Sequence, residues 1–106
     1  MVTCYVHLMR VIAIKMLRDF WQKTGCEDAE QPLKSWYAEA IEANWSKTSD
    51  IKFQFRNASF VGERVIFNIA GNKYRLVVFV KYTSRTIYIR FIGTHKQYDK
   101  INIREV

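Results

Sequence analysis

Two cysteines in 106 residues, Cys4 and Cys26, are too few for a disulfide framework and too few for a zinc site. Nowhere do Asp, Glu, His and Cys fall at metal-ligand spacing, so neither a metal nor another cofactor is expected. One proline and four glycines leave no low-complexity tract or linker, and no internal repeat is visible. Long hydrophobic runs are missing too. The apolar stretch from Val2 to Leu17 is broken by His7, Arg10 and Lys15, and no small-residue cleavage site follows it. That excludes a signal peptide and a spanning helix, and it predicts a cytoplasmic protein with no membrane partner. Acidic residues are scarce: ten Asp plus Glu stand against seventeen Lys plus Arg, a net charge of +7. An excess of positive charge on so small a chain favours a polyanion, with nucleic acid ahead of an acidic protein and a membrane surface last. The plain alternative is charge that serves only solubility. What is abundant is core material. Hydrophobic residues at 49% and aromatics at 15% exclude a disordered chain and predict a single domain over residues 1–106.

The first half reads as helical. Arg10 to Ile14 is a short β-branched run, and Lys15 to Lys23 follows as a helix presenting Leu17, Phe20 and Trp21, ended by Gly25. Asp28 and Gln31 have capping-box spacing, although Pro32 could mark the first helical position instead. Leu33, Trp36, Tyr37, Ala40, Ile41, Asn44 and Trp45 then recur at i, i+3, i+4, i+7 spacing, which predicts a core-covering amphipathic helix. Its tryptophans read as packing residues rather than a base-stacking platform. Ser46 to Gly62 has no clean period and reads as a loop held down by its own phenylalanines. Its mix of Lys52, Phe53, Phe55 and Arg56 would also suit RNA, rings on bases and cations on phosphates.

From Arg64 the period becomes two. Val65, Phe67 and Ile69, then Tyr74, Leu76, Val78 and Val80, then Ile87, Ile89 and Phe91 form one apolar face of an antiparallel three-strand meander. Without a register slip, Asn68 stands opposite Arg75 and Ile92 opposite Val77, and Thr94 comes alongside Arg75. The other face then carries Arg64, Asn68, Arg75, Lys81, Tyr88 and Arg90, with Lys73 at its edge and His95 and Tyr98 closing one end. The expected fold class is α+β: two N-terminal helices on a small antiparallel sheet, made of the meander and a short N-terminal strand, with a short C-terminal helix.

The last strand runs into Ile92-Gly93-Thr94-His95-Lys96-Gln97-Tyr98-Asp99-Lys100, where Thr94 and Gln97 have capping-box spacing. A histidine titrates near neutral pH, and cations hold phosphate charge. That combination suits RNA cleavage by its own 2′-hydroxyl, which needs a base, an acid and cations for the phosphorane but no metal. Each residue also has an ordinary role open to it. His95 could cap a helix, Arg75 and Arg90 could protect a sheet edge, Tyr98 could pack, and Asp99 could pair with Lys96 or Lys100. A basic face with one histidine would also serve plain RNA binding or dock an acidic protein.

The segments Ala58-Ser59-Phe60-Val61-Gly62, Val65-Ile66-Phe67-Asn68-Ile69, Gly71-Asn72-Lys73-Tyr74-Arg75-Leu76 and Tyr88 through Asp99 together resemble the HigB-type toxins of bacterial type II toxin-antitoxin systems, relatives of the RelE toxins. Similarity runs from about Met9 onward and includes the helical segment Asp28 to Trp45. The resemblance implies an mRNA interferase that cuts mRNA on translating ribosomes. It also implies silencing by a HigA-type helix-turn-helix antitoxin, through which the toxin would reach operator DNA indirectly. It covers Asn68, Asn72, Lys73, Tyr74, Arg75, Arg90, Thr94, His95, Tyr98 and Asp99. His95 is assigned as general base or acid, Arg75 and Lys73 as stabilisers of phosphorane charge, and Tyr98 as a second proton-transfer or base-stacking group. Asn68, Arg64, Lys81, Tyr88, Arg90 and Lys96 are assigned to RNA binding. Met1 to Leu8 precedes the point where similar chains begin. Either translation starts at Met9, or an extra segment lengthens the first strand or touches a partner.

Overall fold

The computed structural model describes residues 9–106, and the expectation for Met1 to Leu8 lies outside them. The chain runs β1 (Arg10–Ile12), α1 (Ile14–Trp21), a single 3-10 turn (Glu27–Ala29), α2 (Glu30–Ile41), α3 (Thr48–Gln54), β2 (Ser59–Val61), β3 (Arg64–Ile69), β4 (Tyr74–Lys81), β5 (Thr86–Thr94) and α4 (His95–Tyr98). The five strands form one mixed sheet in the order β1-β5-β4-β3-β2. β1 runs parallel to β5, and the other pairs are antiparallel. The α+β class and the meander are as expected. The sheet differs by an added β2 and by the parallel pairing of β1 with β5, which makes it mixed rather than antiparallel, and the helical layer differs by an added α3.

Both additions lie in the stretch read as a loop. α3 is seven residues long and buries one side chain, Ile51, so it presents too few turns for a helical period to show. β2 is three residues long and pairs with the first half of β3. Of the phenylalanines expected to hold this stretch down, Phe55 does so, with its ring 5.0 Å from Phe67 and 6.0 Å from Trp45. Phe53 does not, being 84% exposed.

α2 stops at Ile41, so Asn44 and Trp45 lie beyond it. Trp45 is buried nonetheless, its indole N–H donating to Gln54 Oε1 at 3.0 Å. Asp28 makes no cap at the start of α2. Its carboxylate crosses to β4 instead, where Lys73 and Tyr74 hold it. Pro32 enters two residues after the helix start, where a missing backbone N–H breaks no helical bond.

The core lies between the helices and one sheet face. Leu17, Phe20, Leu33 and Trp36 meet Val65, Phe67, Leu76, Val78, Ile87 and Ile89, all buried. Phe67 is the hub, with Trp36 5.4 Å away edge-on and Trp45 6.4 Å away near parallel.

The register corrects one expectation. Asn68 does stand opposite Arg75. A β-bulge at Val77/Val78 then leaves Arg90 as an extra residue, so Ile92 faces Leu76, Phe91 faces Val77, and Thr94 faces Tyr74. Past the bulge the faces exchange parity: Ile92, not Phe91, joins the core. Arg90 leaves the outer face and borders a shallow depression with Met16 and Asp19 of α1 and Lys23 just beyond it.

The outer face is less polar than expected. Its centre, Ile66 and Val77, is buried. Beside them Phe79 and Tyr88 stack at 6.1 Å, and the Arg64 guanidinium lies 5.5 Å from the Phe79 ring. Arg64 also donates to the Val106 main-chain oxygen at 2.8 and 3.0 Å, so the C-terminal segment crosses this end of the face.

Candidate functional site

The sheet end where β3 turns into β4, and β5 into α4, gathers the chemistry. The turn between β3 and β4 places Ala70 and Gly71 at positive φ, 55° and 68°. Glycine adopts that region freely and alanine at some cost. The turn delivers Lys73, whose main-chain oxygen accepts the His95 N–H at 3.3 Å. Thr94 and Gln97 complete the expected capping box: the Thr94 hydroxyl accepts from Gln97 N at 3.2 Å, and Gln97 Oε1 accepts from Thr94 N at 2.9 Å. Gly93 makes room for this arrangement. A Cβ there would sit 2.6 Å from Gln97 Oε1 and 2.6 Å from Phe91 Cζ.

His95 is thereby fixed by its backbone while its ring stays about half exposed. One turn of helix later Asp99 turns back, with Oδ2 3.2 Å from His95 Nδ1. A carboxylate there sets the ring's orientation, leaving Nε2 without a partner among the described residues. The pairing with Lys96 or Lys100 that was open to Asp99 is not made; its partner is His95, at i, i+4 spacing.

Arg75, opposite Gly93, donates to Asn72 O at 3.0 Å, and its guanidinium carbon lies 5.8 Å from the Tyr98 ring centroid. A guanidinium over a ring face keeps its in-plane N–H groups free to meet an oxyanion. Arg75, His95 and Tyr98 are therefore brought together, with Asn68 in register beside Arg75 and exposed Lys96 next to His95.

Lys73 is placed differently. Its ammonium lies 2.5 Å from Asp28 Oδ2, while Tyr74 OH donates to Asp28 Oδ1 at 2.5 Å. The Lys73 ammonium, then the Tyr74 hydroxyl, hold the Asp28 carboxyl below the usual aspartate value, and the same bond raises Lys73. Burial first, then the Asp28 carboxylate, pushes the Tyr74 phenol up to about 12. Lys73 thus joins the β3–β4 turn to the start of α2. Asp28 was missed as part of this cluster, because its partners lie 45 and 46 residues further along the chain.

Three assigned RNA-binding residues are not at this end. Lys81 is six residues along β4 from Arg75, roughly 20 Å at strand rise. Arg64 and Tyr88 pair with Phe79, roughly 13 Å along the same strand. Among the described residues no group of three or more His, Cys, Asp and Glu could hold a metal, and no helix is long and apolar enough to cross a membrane.

Residues 29–101 match the HigB_toxin family, described as the RelE-like toxic component of a toxin-antitoxin system, and the chain belongs to it. Among individual proteins, it is 40% identical over 43 residues to the mRNA interferase toxin HigB of Escherichia coli (strain K12). The mRNA interferases HigB of Escherichia coli O157:H7 and Shigella flexneri match to the same extent. The aligned stretch spans 41% of this chain and 41% of each relative's length.

Proposed function

We propose that this chain is a ribosome-associated endoribonuclease that cuts mRNA without a metal. The observation that carries the reading is His95: a half-exposed imidazole oriented by Asp99, beside an arginine whose Nη1 is engaged by main-chain oxygens while its Nε and Nη2 have no partner among the described residues. The 2′-hydroxyl attacks the adjacent phosphorus as His95 Nε2 takes its proton. Arg75 holds the charge on the pentavalent phosphorane. The bond to the 5′-oxygen breaks, the leaving oxygen gains a proton from Tyr98 or from protonated His95, and the products are a 2′,3′-cyclic phosphate and a free 5′-hydroxyl. Lys73 adds positive charge at the rim and takes a more direct part only by leaving Asp28. Asn68 and Lys96 contact the flanking RNA, with Arg64, Lys81 and Tyr88 further out; Arg90, which the bulge turns towards α1, has no part in this path. The partner that silences the protein is a HigA-type helix-turn-helix antitoxin, which brings operator DNA only indirectly.

His95→Ala and Arg75→Ala should each lower cleavage of translated mRNA by roughly 10²- to 10⁴-fold and relieve growth arrest, with unchanged thermal unfolding. Full cleavage by both variants would overturn the site. A wild-type protein inert towards mRNA with and without ribosomes would overturn the activity and favour a binding module.

A further inference from the structure

Phe53 is the most exposed of the large hydrophobic residues in the described chain, at 84%, and nothing in the fold uses it. It projects from α3, where it borders a shallow depression with Ser49, Lys52 and Arg56. Arg56 has no hydrogen-bond or ion-pair partner among the described residues, and it is exposed. The Lys52 ammonium donates to Ala58 O at 2.8 Å, which braces the loop carrying Arg56. Residues 46–58 hold three cations, Lys47, Lys52 and Arg56, against one acid, Asp50. That carboxylate is turned inward onto the Ser46 N–H and hydroxyl at 2.9 and 3.1 Å.

The position of this patch relates it to His95. Arg56 also lines a cleft of about 320 Å³ together with Asn57, Asn68 and the acidic Glu39 of α2. Asn68 stands opposite Arg75, and Arg75 opposite Gly93, two residues before His95. Adjacent strands are about 4.8 Å apart, so the step from Asn68 to Gly93 crosses roughly 10 Å. Arg56, Asn68 and Arg75 thus form a polar line across the sheet end, with a bare aromatic ring at one end and the histidine at the other.

We propose that Phe53 and Arg56 form a second RNA contact, in which Phe53 stacks on an unpaired base of the strand being cut and Arg56 holds a neighbouring phosphate, a few nucleotides from the scissile bond. This rests on the proposed ribonuclease activity and adds the path that single-stranded RNA takes over the protein. A lone exposed phenylalanine costs solubility, and a base needs only its ring face. The local excess of cations fits a polyanion better than an apolar protein surface.

The test separates an aromatic face from mere hydrophobicity. Phe53→Leu and Phe53→Trp are compared with wild type for affinity to a short single-stranded 2′-O-methyl RNA, which cannot be cut, and for mRNA cleavage in a translating extract. Phe53→Leu should weaken binding roughly 5- to 100-fold, the range set by loss of one stacked base, and slow cleavage at limiting protein. Phe53→Trp should bind as well as wild type, with its indole fluorescence quenched by the RNA. Wild-type behaviour of Phe53→Leu in both assays would overturn the stacking contact while leaving the ribonuclease reading intact. Unchanged RNA affinity with loss of antitoxin binding would overturn it in favour of a protein-docking surface. If the wild-type chain neither binds nor cleaves RNA, both readings fall together.

Discussion

Replacing Phe67 by leucine tests the packing that joins the sheet to the helical layer. The Phe67 side chain is 2% exposed and meets Trp36, Phe55 and Trp45 at 5.4, 5.0 and 6.4 Å between ring centroids. Leucine preserves most of the apolar burial, so the hydrophobic transfer loss is small. What disappears is ring-on-ring geometry, worth about 0.5–1.5 kcal/mol per pair beyond area, and some volume that the neighbours cannot fill. Because the three pairs share one ring, their losses do not simply add. The expected cost is about 2–3 kcal/mol, against about 3–5 kcal/mol for Phe67→Ala. Urea unfolding followed by tryptophan fluorescence reads this directly, since two of the three indoles flank the ring. The midpoint should fall with the slope unchanged, because the surface exposed on unfolding is nearly the same. The thermal midpoint should drop by about 4–8 °C per kcal/mol. A loss below about 0.5 kcal/mol would refute the reasoning and place the cluster's stability in burial alone.

The Asp28 cluster makes stability depend on pH at both extremes. Tyr74, with its phenol raised from 10.0 to about 12, stabilises the fold fully below pH 10 and loses that contribution as pH rises through about 12. Tyr74→Phe should remove that alkaline component from unfolding curves taken across the window, and an unchanged curve would refute the assignment. Asp28, lowered by Lys73 and Tyr74, contributes above its ordinary value of 3.8 and loses it as pH falls through its lower folded value. Asp28→Asn should therefore destabilise the protein near neutral pH but little at the acid end, as unfolding at matched pH values will show. Gly93→Ala should impair mRNA cleavage more than stability, since its Cβ displaces the Gln97 carbonyl that caps α4; wild-type cleavage would mean His95 does not need the cap.

The meander was legible because period-two alternation and two polar turns leave little choice of pairing, and the Asn68–Arg75 match follows from them. The bulge was not. Ile87-Tyr88-Ile89-Arg90-Phe91-Ile92 offers an apolar side chain in either phase beyond Arg90, so pattern alone cannot say which of Phe91 and Ile92 turns inward. Arg75 and Tyr98 meet despite the slip, because α4 follows directly on β5, the neighbour of β4, and brings the Tyr98 ring 5.8 Å from the guanidinium. The outer face was misjudged for a related reason. Ile66 and Val77 share their strand face with Arg64, Asn68 and Arg75, and only the fold shows them buried. Asp28 looked like a helix cap because capping spacing is local, whereas its actual partners are brought to it by the sheet.

The extra residue at Arg90 also governs what lengths of chain this fold can tolerate. Between the β4–β5 turn and His95, every position before the bulge points by one rule and every position after it by the opposite rule. Removing Arg90 itself would close the bulge and keep Ile89 opposite Val78, Phe91 opposite Val77 and Ile92 opposite Leu76, so the capped turn with His95 and Tyr98 would stay beside Arg75. Removing a residue elsewhere in the strand would instead turn over the side chains between that point and the bulge. A single deletion between Thr86 and His95 is therefore borne at Arg90 and not at its neighbours.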